Sequence, residues 1–196
     1  MKTKNLLATG ILTLGLCAGS FAQHVTLSDK EKESILYMRE EEKLARDVYD
    51  SMFVVWDMNP FANIRQSERR HLEMVKGLIN DYKLNDPLLA TADKPGVFVN
   101  PLFAKLYAEM VKAGTGSSIE ALKAGAKIEE LDLKDLHDRM KETSRKDILE
   151  VYGYLAMGSE NHLRAFCRKL KMQGITYEPE FLDKKEFEKI LEQDNK

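Results

Sequence analysis

Apolar side chains recur along this chain at spacings of three and four, and no stretch alternates apolar and polar at a period of two. That pattern predicts helices that each bury one face, and no strands. The first helix opens at Ser28, spaced from Glu31 as in a capping box, and runs to about Trp56. "NPFAN" interrupts it, and a second helix is expected from about Ile64 to Tyr82. "LNDPLLATADKPGVFVNP" then forms a long connection whose three prolines preclude regular helix. Asn100 and Pro101 start a short helix, "PLFAKLYAEMVKA", expected to stop at Gly114. Ser117 and Glu120 open a third long helix to about Met140. Ser144 is the expected cap of a fourth, which ends at Gly174 with basic residues in its last turns. In the tail, Asp183 and Glu186 suit the start of one short amphipathic helix. The expected fold is all-α: a four-helix bundle with a long crossover between helices two and three, plus short extra helices.

The inward faces show where chemistry sits. The first long helix presents Ile35, Met38, Glu42, Ala45, Tyr49 and Met52 as one stripe, and the second Ile64, Glu68, His71, Val75 and Leu78. The third presents Leu122, Gly125, Glu129, Asp132 and Leu136, and the fourth Val151, Leu155, Gly158, His162 and Ala165. Each stripe is apolar or small except near its middle, where each helix places one or two groups able to bind metal. Taken singly these are ordinary residues: Glu42 as a solvated acid, His162 as a hydrogen-bonded core histidine, Asp132 as a surface acid. Glu41 competes with Glu42 for the inward position, and Glu130 with Glu129. Jointly, six buried ionisable groups would rival the whole stability of a domain, roughly 5–15 kcal/mol, so they must be paired, wetted or bound to a cation. Carboxylates neutralise a divalent ion, and imidazole adds a nitrogen ligand suited to iron, manganese or zinc. Glu42, Glu68, His71, Glu129, Asp132 and His162 are therefore the candidate metal ligands.

Composition narrows the classes. Charged residues at 32% and hydrophobic ones at 43% are those of a soluble globular chain. A formal net charge of -2 argues against a nucleic-acid partner. Lys2 and Lys4, the apolar run "LLATGILTLGL" and the small residues through Ala22 have the form of a secretory signal peptide, expected at residues 1–22. The run is too short to be a comfortable membrane span, so no stable membrane span is expected after cleavage. The protein is thus expected to be exported, periplasmic or extracellular, with a bundle domain over residues 23–180 and a helical tail over 181–196. Cleavage removes Cys17 and leaves Cys167, which cannot form an internal disulfide and is expected to be a core residue. The tail after Gly174 either covers the bundle end or mediates association, as in a homodimer.

"EEKLARDVY", "SERRH", "GAKIEELDLKDL" and "GSENHLRAF" resemble the signatures of a family of bacterial ferritin-like proteins known as a domain of unknown function, over about Glu33 to Pro179. "EKLARDVY" is also distantly similar to the first-helix motif of rubrerythrins, in which a metal-binding Glu is followed by Ala, Arg and Tyr; that alignment favours Glu42 over Glu41. The resemblance implies a ferritin-like fold and a di-iron or di-manganese carboxylate centre. The superfamily uses Glu, Glu-x-x-His, Glu and Glu-x-x-His on four successive helices, and Glu42, Glu68, His71, Glu129 and His162 match. The departure is Ser159, where a glutamate is expected. Glu160 lies roughly 200° around the helix from His162, so Asp132 is the better replacement. The implied function is an exported metalloprotein with two metal ions, iron first, with manganese or zinc as alternatives, reacting with dioxygen or peroxide as a ferroxidase or peroxidase. Glu68 would bridge, Glu42 and His71 would complete one site, and Glu129, Asp132 and His162 the other. Two readings compete: a metal buffer without turnover, and a metal-free bundle whose Glu–His pairs are balanced by Arg46, Arg69, Arg70 or Arg164.

Overall fold

The computed structural model describes residues 26–193, all of whose regular structure is helical. The expected signal peptide and the last three residues of the expected tail lie outside them. Four long helices form the core: α1 (Asp29–Trp56), α2 (Phe61–Asp81), α5 (Ser118–Met140) and α6 (Lys146–Met172). Two shorter ones, α3 (Pro87–Ala90) and α4 (Pro101–Gly116), lie in the link between α2 and α5, and α7 (Lys184–Glu192) follows at the end. Helix α1 packs on α2 and α5, and α6 packs on α5 and α2, so the four long helices surround one core, as in a helical bundle. Helix α4 lies across α1 and α5. No helix among the described residues is long and apolar enough to cross a membrane.

Local chemistry explains most boundaries. Ser28 and Glu31 form the reciprocal capping box that opens α1. Asn100, Ser117 and Asp183 accept backbone N–H groups in the first turns of α4, α5 and α7. Helix α6 ends in a Schellman arrangement: Gly174 takes φ 78°, and the Ile175 amide donates to the Leu170 carbonyl.

Five expectations need correction. Helix α2 starts three residues before Ile64, because proline suits a helix N-terminus that needs no N–H from it, and Phe61 is buried in the core. The proline-rich connection contains one helical turn, α3, capped by Asp86 and opened by Pro87. Helix α4 continues past Gly114 to Gly116; Gly114 serves contact instead, since a Cβ there would lie 2.5 Å from the Met52 sulfur. Ser144 does not cap α6: the Arg145 amide donates to Thr143 Oγ1. The α6 stripe is also rotated. Val151, Gly158 and Ala165 are only half-buried, and the core face runs through Ile148, Tyr152, Leu155, Ser159, His162 and Phe166.

The flanks are held by buried charge. Glu40 of α1 accepts the Val99 amide at 2.5 Å and the Asn100 amide at 3.0 Å, which docks the start of α4. Lys43, fully buried, pairs with Asp47, donates to the Lys94 carbonyl at 2.8 Å and lies over the Phe98 ring. Arg39 pairs with Asp86 and donates to the Leu72 carbonyl. On the opposite side, Glu130 of α5 accepts the Tyr177 hydroxyl at 2.6 Å and the amides of Glu180, Phe181 and Leu182 at 3.0–3.3 Å. The described part of the tail therefore covers its own bundle. Cys167 is buried and free, and burial lifts its thiol to about 12.

Candidate metal centre

Midway along the bundle, each long helix turns an ionisable side chain into the apolar core. Helical spacing puts Glu68 and His71 on one face of α2. Glu42 faces them from α1, Glu129 from α5 and His162 from α6. All five are buried, from 1% exposed for His71 to 7% for His162. They form two triads that share one residue: Glu42, Glu68 and His71 offer ligand atoms within 4.8 Å of one another, and so do Glu68, Glu129 and His162. His71 Nδ1 lies 3.0 Å from Glu68 Oε2 and 3.2 Å from Glu42 Oε2. His162 Nδ1 lies 2.9 Å from Glu68 Oε1 and 3.4 Å from Glu129 Oε2. Glu68 thus presents one oxygen to each histidine, and the imidazoles stack with centroids 5.6 Å apart.

The electrostatics are those of a buried cluster in which carboxylates and imidazoles oppose one another's ordinary charge states. Burial opposes charge on both histidines, but the carboxylates outweigh it, lifting His71 to about 12 and His162 to about 10. Against the cost of burial, the two imidazoliums hold Glu68 well below the usual carboxylate range. Burial drives Glu42 well above that range and raises Glu129. Even so, Glu42 Oε1 has no hydrogen-bond partner, and Glu68 Oε1 and His162 Nδ1 face each other at 2.9 Å as an ion pair without hydrogen-bond geometry, although each is shut away from water. Such buried atoms are rarely left unpaired in a native protein. An ion with ligand distances of about 2.0–2.6 Å fits between atoms so spaced. The donor set, three carboxylates and two imidazoles, suits a first-row divalent metal.

The surroundings support the triads. Tyr49 donates its hydroxyl to Glu129 Oε1 at 2.5 Å, and burial holds the phenol far above its ordinary range. Gly158 makes room for His71: a Cβ there would lie 2.5 Å from His71 Nε2. The half-exposed Tyr154 meets the same ring edge-on. Asp132 is buried beside the triads but belongs to neither. The Ser159 hydroxyl donates to its Oδ2 at 2.6 Å. The serine found where a glutamate was expected therefore orients the aspartate expected to replace it.

Three of the four arginines considered as balancing charges go elsewhere. Arg46 pairs with Asp47 and Asp93, Arg69 with Asp50, and Arg164 with Glu160. Sequence periodicity also missed that Glu40, Glu41 and Glu130 are all buried. The one available signal was the run of acids itself, three at positions 40–42 and two at 129–130, in helices that must bury several sides.

Comparison with known proteins finds similarity over most of the chain. The family described as "Uncharacterized protein domain (DUF2202)" matches residues 31–194. The chain is 45% identical over 165 residues to the uncharacterized protein MJ0754 of Methanocaldococcus jannaschii, covering 84% of this chain and 88% of that one. It is also similar to the crystal structure of the hypothetical protein MJ0754 from Methanococcus jannaschii, with a TM-score of 0.82 over 84% of this chain and 93% of that chain.

Proposed function

The chain belongs to the DUF2202 family, and from that premise we propose that it is a ferritin-like metalloprotein that holds two divalent ions, iron foremost, and reacts with dioxygen or peroxide. One observation carries this reading: two buried ligand triads share Glu68. A single buried acid between two imidazoles, with its own oxygens divided between them, is what a bridging carboxylate requires. Glu42 and His71 would complete one position, and Glu129 and His162 the other. When bound, a redox-active pair supplies the electrons for reducing dioxygen or peroxide.

The protein's own contribution is geometry and access. Glu42, Glu68 and Glu129 neutralise most of the charge of two divalent ions in a core that excludes water. Tyr49 restricts Glu129 by holding one of its oxygens. Gly158 and Tyr154, both on α6, flank His71 where α6 meets α2, and the tyrosine is half-exposed.

The test is metal content of protein purified without chelators, followed by ferrous loading under air. The expected outcome is two tight equivalents per chain, consumption of oxygen and a new absorption band in the oxidised protein. Binding without oxygen consumption would reduce the protein to a metal buffer. Absence of binding, with no rise in melting temperature on adding iron or manganese, would leave a metal-free bundle.

A further inference from the structure

Three clefts of comparable size lie away from the triads, and they differ in charge. One of about 590 Å³ is walled by Glu33, Glu40 and Asp86, with no cation among its described residues. One of about 390 Å³ sets Lys123 and Lys127 against Glu109, Glu120 and Glu180. The third, of about 460 Å³, lies between the C-terminal half of α6, the segment that follows it and α7. Arg164, Arg168 and Lys171 all line it, and among the described residues no carboxylate does.

The three cations are spaced four and three along α6, which puts them on one face. Lys171 lies in the last turn, where a cation complements the helix dipole; Arg164 and Arg168 sit before that turn, where the dipole's pull has faded. Arg164 is buried and fixed. It donates to the Ile190 carbonyl at 3.2 Å and to Asn161 Oδ1, which ties α7 to α6 at the cavity wall. Arg168 and Lys171 are exposed, so they stand at the mouth. The half-buried Ile175, Tyr177 and Leu191 make the rest of the wall largely apolar. The Tyr177 hydroxyl is spent on Glu130 and offers the cavity no donor. The volume is that of a small-molecule site, roughly 300–1,000 Å³. A neutral apolar ligand would leave the cations unused, and a small hydrophilic anion would leave the apolar wall uncovered.

We propose that this cavity binds a small organic anion: a carboxylate held at the mouth by Lys171 and Arg168, with a short apolar body against Ile175, Tyr177 and Leu191. The site is separate from the metal centre and does not depend on the two-ion reading. Because α7 and the segment before it supply part of the wall, the bound anion also fastens the tail to the bundle.

The experiment is calorimetric titration and equilibrium dialysis of the whole protein with octanoate, with octan-1-ol and inorganic phosphate as controls. One octanoate is expected per chain, with both controls at least about tenfold weaker. The double variant Arg168→Gln, Lys171→Gln should weaken octanoate about tenfold and leave metal uptake and melting temperature as they were. Cys167 lines the same cavity and reports on position without any variant. Saturating octanoate should slow its modification by methyl methanethiosulfonate several-fold, as followed by peptide mass. No octanoate binding, or binding matched by octan-1-ol or by phosphate, would overturn the proposal. So would an unchanged affinity in the double variant, or an unchanged rate at Cys167, since either would place the anion elsewhere. None of these outcomes bears on the metal centre, whose own test is metal content.

Discussion

Glu129 and Glu130 are adjacent on one helix and both are buried, yet they live in opposite surroundings. Glu130, on the flank, accepts a tyrosine hydroxyl and three backbone amides. Glu129, in the centre, has Tyr49 on one oxygen and His162 Nδ1 near the other. The same contrast holds on α1 between Glu40, satisfied by amides, and Glu42, which keeps an unpartnered oxygen. A buried acid whose lone pairs are filled by the chain's own donors is a structural clasp. A buried acid left open beside imidazoles marks a place for a ligand. Burial alone does not tell them apart; the accounting of hydrogen-bond donors does.

The strongest test of that division removes one group from each side. Replacing Glu68 and His71 together by Ala takes a residue from both triads and should weaken binding of both ions by more than about 100-fold, since even supporting residues cost 10–100-fold. The fold should survive, as read by circular dichroism, because these groups are poorly satisfied without metal. Glu130→Ala should do the reverse. It leaves four donors unmatched and should cost about 2–4 kcal/mol in denaturant unfolding, with both tight ions retained. If Glu130→Ala lost metal and the Glu68/His71 variant lost only stability, the division between clasp and centre would be wrong.

Smaller changes sharpen it. Gly158→Ala should push on His71 without touching a clasp, weakening one ion about tenfold with the other unchanged, as seen by calorimetric titration. The pH dependence has a definite sign. Without metal, His71 and His162 are lifted to about 12 and about 10, so both carry protons at neutral pH. Metal ligation expels those protons, so affinity should rise with pH, steeply up to about 10 while both are held and more gently from there to about 12, and loading should acidify a weakly buffered solution. Tyr49→Phe should have the smallest effect: loss of one hydrogen bond worth about 1 kcal/mol, with both ions still bound.

Much of this was readable in the chain itself. The spacing of Glu68 and His71, the caps at Ser28, Asn100, Ser117 and Asp183, and the apolar stripes of α1, α2 and α5 are local properties. Each depends on residues three or four apart, which a helix brings together wherever it lies. The fourth stripe was less legible, since α6 is apolar or small on more than one side and Gly158 looked like core when it is clearance for His71. Ser144 failed as a cap because α6 starts one residue later, with Arg145 in the cap position and no side chain capping it.

The sequence by itself therefore determined the helices, their order and five residues that meet at one level. Which of several adjacent acids does what was decided by the tertiary structure. Glu40, Glu41 and Glu42 point in three directions about 100° apart, so a helix buried on several sides must find a different partner for each. Glu40 is met by the segment after α3 and Glu42 by α2, while Glu41 is buried with neither oxygen partnered. On α5, Glu130 is met by residues 177–182, some fifty positions along the chain. Those partners arrive through long-range packing of irregular segments, whose positions no helical period encodes.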